Sequence, residues 1–338
     1  MDLERIYIEV PKKNLEEAFA TLFSVWRSPS LPLAEFENYK ASSIANYESA
    51  LKDPTRIINN EVALRFDNYP EGSWNKPKKM EEGLSELKNL RYEDVKRCSD
   101  DFSGISHASL GVVGNISSSE LKAIWKKSVG ASSSKVSYER SPVPVAPKSI
   151  DASPVLITKP DTPNAKILGI TVIPMSMKSQ DHAAFELAVY ALGGNSRSLI
   201  WNQVREKDGY AYQAHMGVSV SPFDDRATVE ISATSSTGNA EKTLNSLKTV
   251  LSNALKDGIS EEQLEIARNI WKESRKSLLG DEKLYALTLT SDMGSGSDFS
   301  QSAEFDKKIE SVSSAEATRV LRKYVNELSI VWAIGKGS

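Results

Sequence analysis

Apolar residues recur at helical spacing from Leu15 through Ala18, Phe19, Leu22 and Phe23 to Trp26, which predicts a helix with one buried face. Asn14 with Glu17 marks its start, and Pro29 and Pro32 end it, because proline cannot continue a helix. The preceding Ile6-Tyr7-Ile8-Glu9-Val10 has strand propensity. A long polar helix is expected over about 35–51, another after Pro54, and a third near 92–101. Ala108 to Gly114 then has the pattern of a strand, and Ser117 with Glu120 caps a helix that runs through Trp125.

The pattern changes over residues 129–154. Serines cluster around Ser132, prolines follow at 142, 144, 147 and 154, and no core-forming period is present, so this stretch is expected to be an extended linker. Beyond it the alternation resumes. Ile167–Ile173, Tyr212–Val220 and Ala227–Ala233 predict strands, and Asp181–Leu192 predicts a helix that stops at Gly193-Gly194. A further helix is expected over Ser198–Glu206. Leu244, Leu247, Leu251 and Leu255 line another, and Ser260 with Gln263 opens the next with a capping box.

The two parts repeat one another. Residues 31–42 share a layout with 259–270 at an offset of 228, and the stretch from Leu90 resembles that from Val312 at an offset of 222. A near-constant offset implies one supersecondary unit used twice. The expected division is 1–128, a linker at 129–154, and 155–338. The first copy has no counterpart for the opening of the second, so it is expected to enter part-way through, truncated at its N-terminus.

Composition narrows the class. Of 338 residues, 40% are hydrophobic and 26% charged, with a net charge of −3, so no broad electrostatic case exists for nucleic acid or an anionic membrane surface. No run approaches the ~20 apolar residues of a membrane span. The single cysteine, Cys98, excludes an intrachain disulfide and is expected to pack half-buried on a helix.

Gly193-Gly194-Asn195-Ser196-Arg197-Ser198-Leu199, followed by Val204-Arg205-Glu206-Lys207-Asp208-Gly209-Tyr210-Ala211-Tyr212, resembles a signature of the M16 (pitrilysin/insulinase-like) zinc metallopeptidases. The resemblance covers essentially the whole chain. It implies an α+β fold: two homologous domains, each a mixed β-sheet flanked by helices. In this family two half-molecules enclose a chamber for an unfolded peptide, and the bacterial periplasm is a common home.

Catalysis in the family uses His-x-x-Glu-His, with both histidines on zinc and the glutamate as general base. The histidines here are His107, His182 and His215, no two closer than 33 positions, so no such pair sits on one helix. His182-Ala183-Ala184-Phe185-Glu186 echoes the motif but lacks the second histidine, and His182 is expected to be exposed or at a helix N-terminus. The family's more distant glutamate ligand matches Asn46, or Glu48 in a register two residues on.

The resemblance therefore implies a non-catalytic half, not active alone, that holds no metal. It would pair with a zinc-bearing half in the same polypeptide or a separate subunit. Arg205 and Tyr212 match the family's residues that reach toward peptide substrate. An arginine can donate to a peptide carbonyl and a tyrosine hydroxyl can stabilise an oxyanion. For these two the plain alternative is a helix-end arginine and a core tyrosine, and Tyr210 is the neighbouring candidate. Two other readings compete: a scaffold or assembly subunit that has lost catalysis, and a hydrolase using Ser196 or Ser198, for which no G-x-S-x-G elbow is present.

Overall fold

The computed structural model describes residues 6–338 except 28, 106–107, 129–132, 138, 146, 148 and 161. His107 thus lies outside the described residues. The packing divides the chain into two compact units that interleave in sequence. One comprises Met1–Asn46, Leu84–Arg140 and Arg275–Phe299; the other comprises Tyr47–Gly83, Ser141–Ser274 and Ser300–Ser338.

The helices are α1 (Leu15–Arg27), α2 (Leu33–Ala50), α3 (Pro54–Arg65), α4 (Met80–Asn89), α5 (Tyr92–Phe102), α6 (Ser118–Ser128), α7 (His182–Gly193), α8 (Ala240–Asp257), α9 (Glu261–Gly280), α10 (Glu282–Gly294), α11 (Phe299–Ser311) and α12 (Ser314–Tyr324). The strands are β1 (Val155–Lys159), β2 (Asn164–Ile173), β3 (Ala211–Val220), β4 (Ala227–Ser236) and β5 (Val331–Gly337). Among the described residues no helix is long and apolar enough to cross a membrane.

In the first unit, the apolar face expected on α1 is the one that packs. Phe19 and Phe23 are buried and meet Trp125 of α6 edge-to-face, with ring centroids 6.2 and 5.2 Å apart. The capping box of α6 forms as expected: Ser117 N donates to Glu120 at 2.9 Å, and Glu120 N donates to Ser117 Oγ at 3.2 Å. The two strands expected in this part do not form. Residues 6–10 and 108–114 are irregular, and no described segment pairs with them. Strand propensity becomes a strand only where a partner completes the ladder. Cys98 is exposed rather than half-buried, because its position on α5 turns away from the packed side.

The second unit is built on a five-stranded mixed sheet in the order β1-β5-β2-β4-β3. β1 runs parallel to β5, and the other neighbours are antiparallel. Alternation along the strands sorts the side chains to two faces. Ile167, Met216, Val229, Ile231, Ile334 and their neighbours face α7, α8 and α12 and make the main core with Phe185, Leu247, Leu251 and Leu321. On the opposite face, Ile58, Val62 and Phe66 of the α3 region cover Leu168, Val331 and Ala333. The sequence division at 129–154 follows chain order; residues 47–83 and 141–154 nonetheless pack with the sheet of residues 155–338.

Arg226, at the foot of β4, binds those flanking segments. Its guanidinium donates to Phe66 O at 3.2 Å, Asn68 Oδ1 at 2.9 Å and Pro144 O at 3.1 Å.

Asp181, just before α7, accepts from Lys323 Nζ at 2.7 Å, Arg319 Nη2 at 2.7 Å and the Tyr324 hydroxyl at 3.1 Å, all on α12. Lys323 foremost, then Arg319, hold its carboxyl well below the usual range, at about 2. A carboxyl whose pKa falls on folding adds stability above its unfolded pKa and loses it as pH drops through the folded value. The wild type should therefore shed this contribution between about pH 4 and pH 2, on the order of 1–2 kcal/mol because both basic partners are solvent-exposed. An Asp181→Asn variant should lack that step in a pH series of denaturation midpoints, and an identical pH profile in both proteins would remove the linkage.

Candidate functional site

The signature region folds as α7, a turn, a π-helical segment at Trp201–Lys207, a second turn, and strand β3. Each turn has a physical reason. Gly193 ends α7 where the helix meets β3: a Cβ there would stand 2.3 Å from Met216 N and 2.4 Å from Met216 Cβ, so only glycine lets the elements approach this closely. Gly209 has φ +65°, the left-handed conformation that closes the segment after Asp208. Within the π-helix, Asp208 N donates to Gln203 O at 2.9 Å, a five-residue spacing. The ordinary helix expected over Ser198–Glu206 is replaced by this wider turn.

The start of β3 is also irregular. Ala211 pairs with Ser235 and Gln213 with Thr234, so Tyr212 is the extra residue of a β-bulge. The bulge breaks the inward–outward alternation. Ala211 is buried, Tyr212 and Gln213 both face out, and Ala214 is buried again. Tyr212 is thereby 56% exposed instead of packed in the core, as the plain alternative for it required.

These elements surround an open cleft of about 740 Å³. Gly193 to Ser196 form one lip, Trp201 and Arg205 the π-helical wall, and Tyr212, Gln213 and His215 the strand wall. Arg205 and Tyr212 thus share one cavity, seven positions apart in sequence. Among the described residues its lining includes no carboxylate, although Glu206 stands directly behind Trp201 and Arg205. The lining offers an arginine, an imidazole, a phenol and side-chain amides, which suits it to carbonyl or other electron-rich ligand groups.

Arg205 is held from two sides. Its Cζ lies 4.2 Å from the centroid of the Trp201 ring, and its Nε lies 3.8 Å from Glu206 Oε1. Trp201 Nε1 in turn donates to Glu206 Oε1 at 3.0 Å. Among the described residues the terminal nitrogens of Arg205 make no hydrogen bond.

Tyr210 takes a different place. It precedes β3 and lines a second groove between the π-helix and α8, with Lys242 Nζ 5.8 Å from its ring centre. Tyr210, the neighbouring candidate, would share the strand face of Tyr212 only within β3, and β3 begins at Ala211.

His182 and His215 are on separate elements. His182 opens α7 as expected for a helix N-terminus, yet it is buried, with its ring 4.7 Å from that of Phe305. Its Nε2 lies 3.7 Å from Glu186 Oε2. Asn46, on α2, is exposed. Among the described residues no group of three or more His, Cys, Asp or Glu is close enough to hold a metal.

Sequence reasoning missed Trp201 and Gln213, and it placed His215 nowhere. One signal was available: Trp201 lies four residues before Arg205, within reach along one helical face.

Known structures share the fold of this chain. The fold matches a peptidase M16 inactive domain from Pseudomonas fluorescens with TM-score 0.78, at 17% identity, over 96% of this chain and 76% of that one. A protease from Helicobacter pylori matches with TM-score 0.75, at 16% identity, over 97% and 77%. The periplasmic protease PqqL from Escherichia coli matches with TM-score 0.69, at 14% identity, and here the chain covers only 35% of the larger protein. No curated protein sequence matches the chain. The family model described as the peptidase M16 inactive domain matches residues 89–270, more than half of the 338. The Gly-Gly turn, the π-helical arginine and the bulged tyrosine all lie within that span, and the chain belongs to the peptidase M16 inactive-domain family.

Proposed function

We propose that this chain is the non-catalytic half or subunit of an M16-like zinc-dependent peptidase and helps enclose and bind a peptide substrate. On this reading residues 1–128 and 155–338 are two homologous domains joined through 129–154. A zinc-bearing half, in the same polypeptide or a separate subunit, supplies the metal and its activated water. The observation that carries the reading is the meeting of Arg205 and Tyr212 in one cleft. The free terminal nitrogens of Arg205 would donate to a peptide carbonyl, which fixes the register of an extended substrate. The Tyr212 hydroxyl, exposed by the bulge, would donate to the oxyanion that forms as water attacks.

The test is to reconstitute the chain with its zinc-bearing half and follow cleavage of a fluorogenic peptide. Arg205→Ala or Tyr212→Phe should each lower turnover by about tenfold or more while the melting temperature stays put, since both side chains sit outside the core. Full turnover in both variants would overturn the substrate-binding role. A chain that assembles with its partner yet contributes nothing to turnover would favour the scaffold.

A further inference from the structure

We propose that Trp201 is a positioning residue that aims Arg205 into the cleft; this rests on the substrate-binding reading of Arg205. Trp201 presents its ring face to the guanidinium at 4.2 Å. Its Nε1 holds Glu206 Oε1 at 3.0 Å, and the same oxygen lies 3.8 Å from Arg205 Nε. The three side chains thus form a closed triangle on one turn.

The local backbone makes the triangle possible. In an α-helix, residues four apart share a face, whereas residues five apart diverge. Where backbone bonds run from i to i+5, the turn widens and residues five apart come together as well. Trp201 therefore meets Arg205 at i+4 and Glu206 at i+5 in one turn.

The triangle has a consequence for the arginine. A flexible side chain that is 43% exposed would otherwise spread over several rotamers. The Trp201 ring lies against the guanidinium and Glu206 lies beside its Nε, while among the described residues the terminal nitrogens make no hydrogen bond and are left available to the cleft that Arg205 lines. Ligand then meets an arginine whose ordering entropy is already lost. Neither Trp201 nor Glu206 has to touch ligand for this effect.

The test uses the full chain and a fluorescein-labelled, unstructured casein-derived peptide, with affinity read by fluorescence anisotropy. The variants are Arg205→Ala, Trp201→Leu, Trp201→Phe and the double Trp201→Leu/Arg205→Ala. Loss of the stack in Trp201→Leu should weaken binding about two- to fivefold, the scale of a solvent-exposed cation–π contact. Trp201→Phe keeps an aromatic face without the N–H and should recover most of that loss. The double variant should bind no more weakly than Arg205→Ala alone, because a residue acting through Arg205 has nothing to act on once it is gone. A Trp201→Leu loss that persists undiminished in the Arg205→Ala background would mean that Trp201 shapes the cleft independently, and would overturn the proposal. So would wild-type affinity in Trp201→Leu beside a weakened Arg205→Ala. Wild-type affinity in Arg205→Ala, or no peptide binding by the wild-type chain, would bring down the substrate-binding reading itself, and the positioning role with it.

Discussion

Gly193→Val is expected to destabilise the protein by about 2–3 kcal/mol, the upper range for forcing atoms into a packed core. The added Cβ would lie 2.3 Å from Met216 N and 2.8 Å from Met216 Cα. Those are backbone atoms of β3 in the middle of a paired strand, so they cannot swing aside as a side-chain tip could. Either α7 retreats from the sheet or β3 bends away, and each loosens contacts of the buried Leu192 and Met216. The same movement would displace Gly194 to Ser196, which form the lip of the cleft. Peptide affinity should therefore fall together with the denaturation midpoint. A midpoint equal to the wild type's would show that the interface yields more easily than its close contacts imply. Gly193→Ala should lie between the two, since the first clash is with Cβ itself.

A fragment covering residues 155–338, the part delimited by sequence, is expected to lose cooperative unfolding. It would keep the whole sheet but lack α3, whose Ile58 and Val62 are almost fully buried against β2 and β5. Leu168, Val331 and Ala333 would then face water across the sheet, and Arg226 would lose its acceptors at Phe66, Asn68 and Pro144. An open apolar sheet face invites association as well as unfolding. The matched point variant in the full chain is Ile58→Ala, expected to cost about 2–4 kcal/mol as a fully buried truncation. Dye binding to exposed apolar surface and the sharpness of the denaturant transition would report on both. A fragment that unfolds as sharply as the full chain would mean that α3 is an accessory rather than half of the core.

Much of the fold was legible because local rules carry it. The stripe of α1, the leucine stripe of α8 and the capping boxes at Ser117 and Ser260 are written in short-range spacing. The Gly-Gly and Arg-Glu-Lys pattern led to the cleft and to Arg205 and Tyr212 within it. The strands expected at 6–10 and 108–114 failed for the complementary reason. Their propensity was real, but a ladder needs a second strand, and that is supplied from elsewhere in the chain or not at all.

The sequence by itself determined the helical stripes, the turn glycines, the family, and the lack of a paired histidine motif, because each is set by residue type and spacing over a few positions. The tertiary structure alone decided which residues share a cavity. The bulge that turns Tyr212 outward depends on the register between β3 and β4, and the π-turn that sets Trp201 against Arg205 is a five-residue backbone bond with no composition of its own. The attachment of α3 to the sheet of residues 155–338 joins positions far apart in the chain, Ile58 with Leu168 of β2 and with Val331 and Ala333 of β5, separations over which the cost of loop closure grows only slowly and leaves no local mark.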